Sequence, residues 1–295
     1  MVIKCHEERK GKGLAQLGFE VTFWGVRGSL PVPGPLTTQY GGNTACVQVR
    51  IGERDFIIDA GSGLYHLGQA LLKNNSGPIR GAFLISHIHW DHIQGFPFFG
   101  PAFADQNRFA LYGQAKLGRT FADLFRGQMQ PPYFPVLLEA MGAQLDFHDL
   151  SGGEVLDFDD GITVRTVLTN HPDGCLAYRI EQGGRSCCYL SDTEHCASVD
   201  PVLKAFIAGA DLVIYDACYT DEEYKGEGLQ PSRKGWGHST WQEGVKLMQA
   251  AGAKTLVLFH HAVERTDADM QRIEEMAKAA YPDCLAAREG MTIRL

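Results

Sequence analysis

The chain has 295 residues, 44% of them hydrophobic, and a formal net charge of -8. That length and composition suit one large α/β domain with a sizeable core. The charge argues against a wide basic footprint on nucleic acid, but not against a small anionic substrate held by cations. The eight cysteines (Cys5, Cys46, Cys175, Cys187, Cys188, Cys196, Cys218 and Cys284) form no CxxC pair, and most lie in apolar runs. This speaks against a structural zinc finger or a thioredoxin-type site. The opening residues show no apolar secretory stretch, and no run of about 18 apolar residues offers a membrane span. The expectation is a cytoplasmic protein with reduced, mostly buried thiols and no membrane contact.

In chain order, residues 1–18 read as a polar leader of the composition found in disordered segments. Residues 19–295 read as one domain, with no internal repeat and no linker. Strands are expected in "EVTFWGV", "ACVQVRI" and "DFIIDA", which combine β-branched and aromatic residues. Leu64, Leu67, Leu71 and Leu72 recur near helical spacing, predicting a helix over Gly63–Lys73. "GAFLIS" is a short continuous apolar run, as a strand buried on both faces requires. The stretch 96–150 is rich in proline and aromatic residues, as in "FPFFGPAF" and "QPPYFPVLL". It reads as loops over a cleft, or as a surface for a second copy, rather than as regular structure. From Ile162 strands return in "ITVRTVL", "LAYRI" and "SCCYLS", then in "DLVIYDA" and "KTLVLFHH". Asp200-Pro201 has the form of an N-cap and first helical residue, for a helix to Ala208. "TWQE" at Thr240–Glu243 has capping-box form, for a helix to about Ala250. Thr266 caps a last helix to about Ala280.

The segment "SHIHWDH" ends the "GAFLIS" strand and carries His87, His89, Asp91 and His92. One HxH pair alone would suit hydrogen-bonded surface histidines. Three imidazoles and a carboxylate on the first turn after a buried strand suit a borderline cation such as zinc. His171, Asp192, His260 and His261 each stand just after a later apolar run. A sheet would bring these strand ends together. Strand alternation lets only one of His260 and His261 point at the metals, and the resulting seven ligands exceed one tetrahedral ion and suit two ions sharing a bridging carboxylate.

In that order of motifs the sequence resembles the metallo-β-lactamase superfamily, from about Phe19 onward. The match is strongest with its ribonuclease-Z-like and cyclic-phosphodiester-like hydrolases. It is carried by "FWGVRGSLPVPG", "YGGNTACV", "IIDAGSG", "SHIHWDHIQGFPFF", "PPYFPV", "SDTEH", "YDACYTDEEY", "GWGHST" and "LVLFHH". The resemblance implies an αβ/βα sandwich of two mixed sheets flanked by helices, with the site along one edge. It implies two divalent cations, zinc first, with manganese or iron also compatible with an aspartate at position 192. His87, His89 and His171 would hold one ion, Asp91, His92 and His260 the other, and Asp192 would bridge. His260 takes the ligand place and His261 a supporting one. His238 in "GWGHST" would stand over the metals as a catalytic group, oriented by Asp216. Asp91 would also take a proton from the nucleophile. Asp59 would support the site from beneath, while His6, His66, His148 and His195 receive no role.

These assignments imply a phosphodiesterase. Ribonucleases of the Z type carry a tRNA-gripping arm between the lone histidine and the bridging aspartate. Here His171 and Asp192 are only 21 positions apart, which leaves no room for one. The expected substrate is therefore a small cyclic nucleotide or related cyclic phosphodiester. The alternatives are tRNA 3′-end processing, hydrolysis of a thioester or lactone on the same metals, and a non-catalytic metal-binding oligomer. A homodimer built through "QPPYFPV" fits any of them.

Overall fold

A computed structural model describes residues 2–5, 17–226 and 231–295. Two mixed β-sheets pack face to face. The first has the strand order β15(Thr292–Arg294), β2(Phe19–Gly25), β3(Cys46–Ile51), β4(Arg54–Ile58), β5(Arg80–Leu84), β6(Arg108–Gln114), β7(Gln144–Leu150). The second runs β1(Val2–Cys5), β8(Val155–Phe158), β9(Ile162–Thr169), β10(Cys175–Gln182), β11(Arg185–Leu190), β12(Leu212–Asp216), β13(Thr255–Phe259), β14(Cys284–Ala286). Antiparallel pairings link β15 to β4 in the first sheet and β8 to β11 in the second, and each sheet ends in a run of four parallel strands, β4 to β7 in one and β11 to β14 in the other. Parallel strands place their C-terminal ends along one edge, where open α/β sheets bind ligands.

The layer between the sheets is apolar and rich in rings, including Phe23, Phe56, Tyr178, Tyr189 and Phe259. The outer face of the first sheet is covered by α1(Leu64–Asn74), α3(Phe121–Arg126) and a phenylalanine cluster of Phe83, Phe96, Phe99, Phe109, Phe121 and Phe125. The outer face of the second is covered by α4(Pro201–Ile207), α6(Trp241–Ala251) and α7(Asp267–Ala280). Two short helices, α2(Trp90–Ile93) and α5(Asp221–Lys225), complete the set among the described residues. The caps follow their sequence signals. Asp200 accepts from the backbone N–H groups of Val202 and Leu203. Thr240 and Thr266 accept from Glu243 and Asp269. Such caps contribute about 1 kcal/mol each.

Two expectations change. Within the stretch 1–18, Val2–Cys5 forms β1 and pairs in parallel with β8; His6 and the rest of the leader up to 16 lie outside the described residues. The stretch 96–150 holds more regular structure than its prolines suggest. It contains β6, α3 and β7, and β6 and β7 pair in register from Arg108↔Gln144 to Gln114↔Leu150. β7 is an edge strand with mixed, half-buried residues ("QLDFHDL"), so no apolar run announces it. Pro97 and Pro101 sit in short 3₁₀ turns ahead of β6, and Pro131, Pro132 and Pro135 lie between α3 and β7. Cys46, Cys175, Cys187, Cys188, Cys218 and Cys284 are buried and unpaired, and Cys196 is exposed. No helix among the described residues is long and apolar enough to cross a membrane.

Candidate metal centre and active site

The site begins at the ends of β4 and β5. Asp59 follows β4 with φ 60°, a left-handed conformation that turns its carboxylate under the histidine segment. It accepts from the Ser86 backbone N–H at 2.7 Å, the Ser86 hydroxyl at 2.8 Å and the Tyr189 hydroxyl at 2.7 Å. His92 Nδ1 lies 2.7 Å from the same carboxylate and donates to it. The Ser86 proton is thus committed to Asp59, so the Ser86 oxygen accepts from His87 Nδ1, 3.1 Å away. His171 Nδ1 donates to the Gly237 carbonyl at 2.8 Å. In all three imidazoles a proton is fixed on Nδ1, and Nε2 is the nitrogen that faces inward. Ligating histidines are oriented in this way.

The inward nitrogens converge on Asp192. This residue follows β11 with φ 55°. One carboxylate oxygen, Oδ1, lies 3.2 Å from His92 Nε2 and 3.4 Å from His260 Nε2. The other, Oδ2, lies 3.7 Å from both His87 Nε2 and His171 Nε2. His89 Nδ1 stands 3.3 Å from His171 Nε2 and closes the first group. Asp91 Oδ2 stands 3.2 Å from His92 Nε2 and 3.3 Å from His260 Nε2 and closes the second. The ligand atoms of His87, His89 and His171 all lie within 4.8 Å of one another, and so do those of Asp91, His92 and His260. His261 turns away and donates from Nε2 to the Ala287 carbonyl at 2.9 Å.

His87 Nε2 and His92 Nε2 are buried without a hydrogen-bond partner. Buried polar atoms in native proteins are rarely left so, unless an ion or water completes them. Burial, with neighbouring imidazoles adding to it, holds His87 well below the usual histidine range. Burial likewise lowers His89 and His171. These three are therefore neutral near pH 7, as ligands of a cation would be. Burial opposes charge on His92 and His260 too, but the carboxylates outweigh it. Asp192 leads in both cases, raising His92 well above its usual range and His260 to about 9. The negative field that holds a proton there equally attracts a cation. Although burial works against ionisation, the surrounding histidines hold Asp91 and Asp192 well below the usual carboxylate range. Imidazole and carboxylate in these numbers suit zinc, manganese or iron. The residues present fit a divalent-cation centre.

His238 stands at the edge of this cluster. Its Nδ1 donates to Asp216 at 2.9 Å, and Asp216 ends β12. The ring stacks on His260, with centroids 4.8 Å apart and planes at 22°. Asp216 is held in turn by the backbone N–H groups of Thr193 and Cys218. Burial disfavours the His238 cation, but Asp216 outweighs it through charge and hydrogen bond and pushes the group up to about 9.

Residues 54–261, over two thirds of the chain, match the family described as a beta-lactamase superfamily domain. The chain belongs to that superfamily. A ribonuclease Z of Methanosarcina acetivorans is 26% identical, over 93% of this chain and 97% of that protein. Among solved structures, the metallo-beta-lactamase fold protein YhfI of Bacillus subtilis has a TM-score of 0.71 at 18% identity, covering 95% of this chain and 100% of that one. The short form of human tRNase Z has a TM-score of 0.62 at 22% identity, covering 93% and 98%. These likenesses show the fold, and the family match places the chain in a superfamily of metal-dependent hydrolases.

Some residues of this beta-lactamase-superfamily site escaped sequence reasoning. Ser29 gives its backbone N–H to Asp91 Oδ2 at 2.7 Å. Glu194 binds the backbone N–H groups of Gly235 and Gly237 at 2.7 and 2.9 Å and so fixes the loop that carries His238. Gly237 has φ 84°, and a Cβ there would meet His171 Nδ1 at 2.4 Å. The paired glycines of "GWGH" were the available signal. His195, left without a role, contacts Ser239 Oγ at 3.0 Å and supports the same loop.

Proposed function

We propose that the chain hydrolyses phosphodiesters at two divalent cations, one held by His87, His89 and His171 and one by Asp91, His92 and His260. The observation that carries this reading is the Asp192 carboxylate, which turns a different oxygen to each group. A bridging carboxylate between paired ions is the arrangement used for in-line displacement at phosphorus. Bound cations of this kind lower the pKa of water and neutralise phosphate charge. The protein's own contribution is then positional. Asp59, Ser86 and Gly237 fix the imidazole tautomers. Asp91, ionised and beside the second group, accepts the proton of the attacking water. His238, charged through Asp216, donates to the departing oxygen. Residues 19–295 form the hydrolase unit, with β1 added at the edge of the second sheet.

The substrate we favour is a small cyclic phosphodiester. β10 and β11 join through a tight hairpin at Gly183-Gly184, and their strands occupy most of the His171–Asp192 interval. No arm leaves the fold there. Cleavage of tRNA precursors is the second reading, favoured by the ribonuclease Z relative that matches along nearly the whole chain. Salt separates the two. A protein that grips tRNA through several phosphates loses about 10³-fold or more in affinity between low and moderate salt. We expect turnover of a cyclic mononucleotide or a chromogenic phosphodiester with little salt dependence, and little 3′-end cleavage of a tRNA precursor. Side-by-side kcat/KM values at two salt concentrations check this. Salt-sensitive tRNA cleavage with negligible small-substrate turnover would establish the second reading.

A further inference from the structure

The loop after β2, Val26–Ser29, touches one half of the cluster at two points. Arg27 is fully buried, and its guanidinium donates to three backbone carbonyls: Gly41 at 2.7 Å, Ala262 at 3.1 Å and Arg265 at 2.7 Å. The backbone binds alongside. His261 N–H donates to Val26 O at 3.0 Å, and Gly28 N–H donates to His261 O at 3.1 Å. Both bonds are made by His261 and hold the backbone directly after His260, whose φ of 60° is a conformation a β-substituted residue holds only when its surroundings impose it. Gly28 lies against the His260 ring itself. A Cβ at position 28 would fall 2.1 Å from His260 Cε1 and 2.2 Å from Nδ1. Gly28 has no left-handed φ, so the imidazole alone demands glycine there. The next residue, Ser29, gives its N–H to Asp91 Oδ2.

We propose that Arg27–Gly28–Ser29 is a positioning clip for one of the two cations: it fixes Asp91 and His260 against each other, and Gly28 is glycine because the His260 ring occupies its side-chain space. The clip rests on the reading that Asp91, His92 and His260 hold a cation. It touches none of His87, His89 or His171, so its effect is one-sided. Losing an outer partner of a ligand typically costs 10–100-fold in metal affinity, and a displaced ligand costs at least as much.

The test is cation content of Gly28→Ala after zinc loading and dialysis, measured by elemental analysis beside wild type. We expect about two ions per chain in wild type and about one in the variant. Gly34→Ala is the control, because nothing lies within 4 Å of a Cβ there; it should keep both ions. The pair His260→Ala and Gly28→Ala/His260→Ala covers the case in which Gly28→Ala folds poorly. Removing the ring makes room for the methyl group, so the double variant should match His260→Ala in Tm and cation content. Two ions retained in Gly28→Ala would overturn the clip. So would a double variant destabilised relative to His260→Ala as much as Gly28→Ala is relative to wild type, since non-interacting effects add. A wild-type protein that binds fewer than two ions would instead overturn the two-cation reading itself.

Discussion

Asp192→Ala is expected to hold about one cation per chain where wild type holds two, and to lose roughly 10³-fold or more in kcat/KM for a phosphodiester. Its carboxylate faces both histidine sets, with one oxygen toward each. A metal's stabilisation of transition-state charge amounts to several kcal/mol, and each 1.36 kcal/mol is about tenfold in rate. The fold should survive. The Asp192 side chain also accepts from Ser191 Oγ, and alanine at a φ of 55° costs about 1–2 kcal/mol. Asp192→Asn tolerates that conformation better and isolates the loss of charge. Elemental analysis and circular dichroism of both variants decide the matter. Two ions retained by a folded Asp192→Ala would remove the bridge from the account.

The second large effect is expected at His238. His238→Ala should lower kcat by about 10²–10⁴-fold, the usual contribution of a general acid, while cation content stays at wild-type level. The two results belong together because His238 Nδ1 is committed to Asp216 and lies 3.9 Å from the nearest Asp192 oxygen. Loss of metal would make His238 a ligand, and an unchanged kcat would make it a bystander. Asp216 acts through His238. Because Asp216 raises the His238 pKa, Asp216→Asn should move the alkaline limb of the pH–rate profile to lower pH, since the acid is then lost sooner as pH rises. His238→Ala should abolish that limb.

Much of the site was legible because each of its groups marks the end of a strand. His87, Asp192, Asp216 and His260 follow or close β5, β11, β12 and β13, and apolar runs announced all four strands. Once the sheets are parallel at those strands, the groups meet. What stayed hidden was backbone. Asp59, Asp192 and His260 all take positive φ, which no side-chain pattern records. That turn, rather than alternation along a strand, decides between His260 and His261, because β13 stops at Phe259. The Ser29 N–H and the Gly237 carbonyl are main-chain groups and leave no trace in residue type. β7 was hidden for a different reason: its half-buried, mixed composition gives neither a continuous apolar run nor clean alternation. β6 does carry a short apolar run, "FALY", but it lies within the proline- and aromatic-rich stretch that reads as loops.

If two cations held by one bridged set of ligands serve phosphodiester hydrolysis, titrating chelator-stripped protein with zinc or manganese should show it in the cleavage of a chromogenic phosphodiester. Little turnover is expected up to the first equivalent, then a steep rise that saturates at the second. Full activity at one equivalent, or no cleavage with both ions bound, would contradict it.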